Sequence, residues 1–447
     1  MLIEFRVSNY RSIGDEQVLS LVPAPKQRDY PDNILQDDKY ESLNVIGIYG
    51  NNASGKSNLL LAMSLFDRLI HLSARASSTS PLPHDPFLLR EGWQSRPTRF
   101  EITFILNKSR YRYGVEFTRE EVIREWLYRK SQSREVALFK REGEVIDPGP
   151  GYKGNQKIIE AAIEATRNNA LYLSTCDMMN VEEAKGIFQW FRYFHMINGL
   201  NTEDQEINTI ALLNDDKFKN LINQYFHRLN LNIQGIEFMT KDFDAAELPE
   251  NLPEGARNLI AEELKGKMAF TILTRHQTYN KEGNPSGGKF TWKMDERESA
   301  GTNKAFQMSG PVFWALMNGG VLIIDEIEAK MHPKMTLDTI DLFLNKDTNP
   351  HQAQLIFATH DTNLLTYSRL RRDQIYFAQK NKWESTEFYS LSDFVYIGAN
   401  DPTKLEKERP DTDKEKRYIE GRYGAIPILG DLVELKPFFN QWQEKEN

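Results

Sequence analysis

The run Ile46-Gly47-Ile48-Tyr49-Gly50-Asn51-Asn52-Ala53-Ser54-Gly55-Lys56-Ser57 constrains the fold more than any other part of the chain. It reads as a short apolar strand, a GxxxxGKS turn and an apolar helix that begins near Asn58. Such a turn must curl its backbone N–H groups around a phosphate, and a side chain at Gly50 or Gly55 would obstruct it. Lys56 is placed to reach the β- and γ-phosphates of a nucleoside triphosphate, and the Ser57 hydroxyl to meet Mg²⁺. The helix start adds free N–H groups and a dipole that favours anions. The whole run Gly50, Asn51, Asn52, Ala53, Ser54, Gly55, Lys56, Ser57 and Asn58 is therefore expected to line an ATP–Mg²⁺ site.

A chain of 447 residues has room for two or three domain-sized cores. Its formal charge of −8 argues against a globally basic coat for nucleic acid, although a local basic patch is compatible with it. The single cysteine, Cys176, rules out a disulfide framework and a cysteine zinc site, and reads as a small buried hydrophobe. The first residues lack a signal-peptide layout, and no apolar run approaches the roughly 20 residues of a membrane helix. A cytoplasmic location and no membrane partner are expected.

Taken in order, residues 2–22 alternate as two strands joined through Asn9–Gly14, and 23–42 read as a charged, proline-containing loop. Strand 44–49 and helix 58–72 flank the phosphate loop, and 73–86 reads as a mobile connection. Segments Arg99–Leu106, Tyr111–Phe117, Val122–Arg129 and Val136–Arg141 suggest an antiparallel β meander over 99–141. Helical spacing covers 155–230, and a hairpin with a flexible tip covers 268–294. From 298 the chain alternates helix and strand, the pattern of a parallel sheet covered by helices. The expected division is thus an α/β head split between 1–72 and 298–400, an α+β insertion over 73–297, and a charged C-terminal segment over 401–447. The insertion shows no sustained heptads, so a globular body is expected there and not a coiled-coil arm. Residues 401–420 carry seven acidic and six basic side chains, a balance that suits a solvated linker or exposed helix.

Three further stretches suggest chemistry. Val321–Glu326 is an apolar strand ending in two carboxylates at the edge where α/β sheets bind ligands. Asp325 suits Mg²⁺ coordination, and Glu326 suits polarising the water that attacks a γ-phosphate. Leu355–Asp361 is a second such strand, and His360 at its end is placed to sense the γ-phosphate. Glu298-Ser299-Ala300-Gly301-Thr302 precedes a helix: Ser299 or Thr302 is a cap, a second anion site, or both.

The order NYRS, GNNASGKS, ESAGT, VLIIDE and ATHD resembles the ABC-type ATPase heads of the SMC and OLD families, in particular the AAA-15/AAA-21 group of bacterial anti-phage systems. Residues 325–333 are similar to the DEIExxLHP stretch of those heads, and 418–427 to the C-terminus of RloA-type ATPases. The resemblance implies a P-loop NTPase head with a parallel-sheet core and an antiparallel β subdomain. It also implies a head-to-tail homodimer that sandwiches two ATP molecules, with Ser299, Gly301 and Thr302 completing the partner's site and Arg11 near the nucleotide. The signature departs from the LSGGQ of transporters, and no acidic set of a TOPRIM nuclease follows residue 380. A separately encoded, nuclease-like effector in anti-phage defence is therefore the implied partner. An alternative is a DNA-repair ATPase binding DNA directly, with Arg124, Arg129, Lys130 and Arg134 as basic candidates. A transporter motor subunit fits the signature least.

Overall fold

The computed structural model describes residues 1–131, 134–242, 268–398, 401–409 and 412–427, with 254, 255, 257 and 262 between them. Residues 428–447 of the expected C-terminal segment lie outside the described residues. Contacts group the chain into two compact units: Met1–Met196 with Leu316–Ile327 and Ile340–Asn447, and Ile197–Ala315 with Glu328–Thr339. The chain thus divides spatially near 196 and 316, where the sequence suggests 73 and 298. The reason is hydrogen bonding. The meander pairs directly with the N-terminal strand, Glu4–Ser8 against Arg99–Thr103.

In the first unit, a six-stranded sheet runs in the order Phe194–Asn198, Val321–Asp325, Gln354–Ala358, Val45–Tyr49, Ile375–Lys380, Thr386–Ser390. Its four central strands are parallel and nearly all buried, as expected of a sheet covered on both faces. Beside it lies a seven-stranded antiparallel sheet of Leu2–Ser8, Gln17–Ser20 and five meander strands, ending with Val145–Pro148. The helix Lys56–Leu72 carries Leu59, Leu60, Met63, Phe66 and Ile70 into the core. Phe66 stacks on Tyr113 at 5.5 Å and meets Phe5 and Phe100. Packing of this kind holds the helix that follows the phosphate loop, and truncating Phe66 to Ala would cost about 3–5 kcal/mol.

The meander is fastened to the helices beyond it by buried polar groups. Glu125 accepts from the Tyr113 hydroxyl and from the backbone N–H groups of Tyr172 and Leu173 at the start of helix Tyr172–Met178. Burial pushes the Glu125 carboxyl up, and Arg141 lies 3.7 Å away. Cys176 is buried, as expected, and burial pushes its thiol up to about 12.

Three local expectations change. Residues 34–43 form a hairpin, Ile34–Asp37 against Tyr40–Leu43, hidden in sequence by its charges and short length. The connection 73–86 is pinned: Arg167 donates to the carbonyls of Ala74 and Ala76, and Asn169 to those of Ser77 and Ser80. Residues 401–407 pair with Val395–Gly398 and do not form a linker, and helix Lys414–Ile419 buries Tyr418 against Phe377.

The second unit holds helices Asp204–Leu213 and Asp216–Arg228, a three-stranded antiparallel sheet of Gly235–Asp242, Met268–Tyr279 and Pro285–Lys293, and most of helix Ala300–Asn318. Tyr225 packs edge-on against Phe313 at 5.3 Å, and Gly310 lets helix Ala300–Asn318 approach helix Asp204–Leu213, since a Cβ there would meet Thr209. Among the described residues, no helix is long and apolar enough to cross a membrane.

Candidate nucleotide-binding site

The parallel register brings three strand ends to one edge. Ile48 lies beside Ala358, and Phe357 beside Ile324. The ladder continues past the strands: Thr359 N donates to Ile48 O at 3.1 Å, and Ile327 N to Ala358 O at 3.2 Å. Gly50, Asp325 with Glu326, and Thr359 with His360 therefore leave the sheet side by side, at the carboxyl ends where α/β sheets bind ligands.

The loop itself is tightly specified. Gly55 has φ +102°, and a Cβ there would sit 2.0 Å from the Thr386 hydroxyl; a Cβ at Gly50 would meet the Ala378 carbonyl at 2.5 Å. Ala53 takes φ 62°, a left-handed conformation that a non-glycine residue adopts at a cost of about 1–2 kcal/mol. Buried Lys56 turns its ammonium onto the loop's own carbonyls, 2.8 Å from Gly50 O and 3.1 Å from Asn51 O. Ser57 and Asn58 open the helix, and Asn58 Nδ2 donates to Ser12 Oγ at 2.7 Å. Asn51 and Ser57 are half-buried and Asn52 is exposed.

Asp325 and Glu326 are both half-buried, and one Asp325 oxygen, Oδ1, is buried without a hydrogen-bond partner. Buried acceptors are ordinarily satisfied, so this oxygen fits a cation. Glu326 has φ 50°, another strained non-glycine residue at a candidate reacting position. His360 is exposed, and Asp361 forms a turn with its carboxylate accepting from Asn363 N.

Arg11 lies in the turn Asn9–Gly14 with φ 50°, and its guanidinium pairs with Asp85 at 2.9 Å. Its neighbour Ser12, not Arg11, is hydrogen-bonded to the start of the loop's helix. Ser299, Gly301 and Thr302 belong to the second unit. There Ser299 is the cap: its Oγ accepts from Thr302 N at 3.1 Å and lies 2.9 Å from Thr302 Oγ1. Among the basic candidates on the meander, Arg129 is bound to both oxygens of Glu183, and Arg124 lies 3.7 Å from Glu116.

Four further residues support these two turns. Thr386, Lys380 and Ser12 form a hydroxyl cluster behind the loop, and Glu298 anchors the Ser299 turn. Glu298 Oε1 accepts from Thr274 Oγ1 at 2.7 Å and from His276 Nε2 and Trp292 Nε1, both at 2.9 Å. Ser12 and Glu298 stand inside quoted motifs; Thr386 and Lys380 carry no local signal.

The family model described as "AAA domain, putative AbiEii toxin, Type IV TA system" matches residues 45–153 and 188–366, well over half the chain. No curated protein matches the sequence. Among solved structures, the SMC head domain from Thermotoga maritima is 13% identical, with a TM-score of 0.39 over 87% of this chain and 98% of that one. The recombination mediator protein RecF-ATPrS in the RecFOR pathway is 15% identical, with a TM-score of 0.37 over 87% and 98%. The Smc head domain with a coiled coil and joint derived from Pyrococcus yayanosii is 12% identical, with a TM-score of 0.34 over 88% and 97%.

Proposed function

The chain belongs to the family described as "AAA domain, putative AbiEii toxin, Type IV TA system", and from that membership we propose that it binds ATP with Mg²⁺ and hydrolyses it to ADP and phosphate. The observation that carries this reading is the convergence of Gly50, Asp325, Glu326 and His360 at one sheet edge through paired register. Lys56 exchanges its loop carbonyls for phosphate oxygens, and the loop N–H groups hold the β-phosphate. Ser57 and Asp325 would hold Mg²⁺, which neutralises phosphate charge. Glu326 orients the attacking water and takes its proton as the water oxygen bonds to the γ-phosphorus and the bond to ADP breaks. His360 donates to the γ-phosphate.

The fuller reading is a switch. Two copies pair around ATP, with Ser299, Gly301 and Thr302 of each meeting the other's nucleotide, and the ATP-bound pair controls a separate nuclease-like effector in anti-phage defence. Pairing and effector rest on the motif resemblance. Direct DNA binding by the meander is the weaker alternative, since Arg129 is already held by Glu183.

The deciding test measures ATP binding and phosphate release for the wild type, Lys56→Ala and Glu326→Gln. The expected result is loss of binding in the first variant and retained binding without turnover in the second. Equal turnover in Glu326→Gln and wild type removes Glu326 from the mechanism, and equal binding in Lys56→Ala removes the loop. Recovery of tagged Glu326→Gln with ATP and Mg²⁺ from its host then tests the partner. A stoichiometric nuclease-like protein supports the switch, and DNA alone overturns it.

A further inference from the structure

Behind the phosphate loop, a chain of hydrogen bonds joins segments that lie far apart in sequence. Thr386 Oγ1 donates to Ser54 O at 2.9 Å. A hydroxyl has one proton, so its two remaining contacts, Lys380 Nζ at 3.2 Å and Ser12 Oγ at 2.8 Å, must donate to it. Ser12 Oγ in turn accepts from Asn58 Nδ2. The single proton on Thr386 thereby fixes the direction of each bond in the cluster.

The backbone sets the geometry. Lys380 and Thr386 are directly opposed residues on antiparallel strands, and Thr386 N donates to Ser12 O at 2.8 Å, so the buried threonine cannot turn away. In a planar trans peptide the C=O and the following N–H point in opposite directions. Anchoring Ser54 C=O on Thr386 therefore aims Gly55 N–H to the other side, into the concavity of the loop. A cation at the end of a hydrogen-bond chain polarises each link in turn. The Lys380 ammonium makes Thr386 a stronger donor to Ser54 O, and the polarised peptide makes Gly55 N–H a stronger donor to an anion.

We propose that Thr386 and Lys380 are positioning residues for the phosphates, holding and polarising the Ser54–Gly55 peptide from behind without touching the ligand. The inference rests on the nucleotide reading above. It also gives the glycine at 55 a second reason: its Cα faces the same threonine, and any Cβ would displace the hydroxyl that aims the peptide.

The test titrates the full chain with a fluorescent ATP analogue in Mg²⁺ and records thermal unfolding alongside. Thr386→Val keeps the shape and removes the hydroxyl; affinity falls by roughly 10-fold, the worth of one charge-assisted hydrogen bond. Thr386→Ser restores the hydroxyl and is expected to stay within about 3-fold of wild type. Lys380→Met, on an exposed side chain, is expected to weaken binding by about 3- to 10-fold with an unchanged unfolding temperature. A purely structural role would move the unfolding temperature and leave the affinity of folded protein alone. Wild-type affinity in both Thr386→Val and Lys380→Met overturns the inference while the nucleotide reading stands. Wild-type protein that binds ATP no better than Lys56→Ala overturns that reading, and the inference falls with it.

Discussion

The phosphate loop and the turn at Ser299 both lead through a glycine into a long helix, yet they meet their backbone demands in opposite ways. At the loop, the side chain of distant Thr386 holds the Ser54 carbonyl, and Gly55 adopts a φ of +102° that only glycine takes without strain. At the turn, the helix start is satisfied locally, because Ser299 Oγ already accepts from Thr302 N. Gly301 has no positive φ, and a Cβ there would lie 3.0 Å from the Lys330 carbonyl. On the proposed function, the loop binds its anion within one copy of the chain. The turn is capped within its own helix start, and on the proposed function it meets a ligand carried by the other copy.

The largest expected effect on affinity follows from the glycine at the loop. Gly55→Ala must move Thr386 and strain the backbone, so ATP affinity should fall by about 100-fold or more in calorimetric titration, since the left-handed penalty alone is about 1–2 kcal/mol. Near-normal affinity would erase the contrast between the two helix starts. Glu326→Gln comes next, with turnover reduced by roughly 10²- to 10⁴-fold and ATP affinity kept, as read by single-turnover phosphate release. A smaller effect is expected at the Ser299 turn. Glu298→Ala leaves Thr274, His276 and Trp292 without their shared acceptor, and should lower unfolding stability by about 1–3 kcal/mol in a denaturant titration while sparing ATP binding. Loss of ATP binding in that variant would mean the two sites are not separable.

The contrast also explains what sequence reveals. A phosphate loop is a contiguous device, so Gly50–Ser57 announces itself through spacing, and the strands ending at Asp325 and Thr359 announce themselves through apolar runs. The parallel core and the meander were legible for the same reason. The cluster behind the loop was not, because hydrogen bonds across the fold join Ser12, Ser54 and Thr386, and Thr386 carries no local signal in its own segment. The anchoring of 73–86 was hidden likewise: Arg167 and Asn169 supply it from beyond the meander. Composition described that stretch as small and polar, but mobility depends on what its carbonyls meet.

The smallest effect on the isolated chain is expected at the turn's own glycine, and it is the most informative about pairing. Gly301→Ala removes a helix-destabilising residue, a gain of about 0.8–1.0 kcal/mol in an unstrained helix, against crowding of the Lys330 carbonyl. The two terms nearly cancel, so stability should stay within about 1 kcal/mol of wild type. A methyl group at the helix start would nevertheless obstruct the close backbone approach that a partner's phosphate needs. Gly301→Ala placed in the Glu326→Gln background, where ATP persists, should therefore reduce ATP-dependent association in sedimentation velocity. If association is undiminished, the turn at Ser299 is a helix cap and nothing more, and the interface must be sought elsewhere.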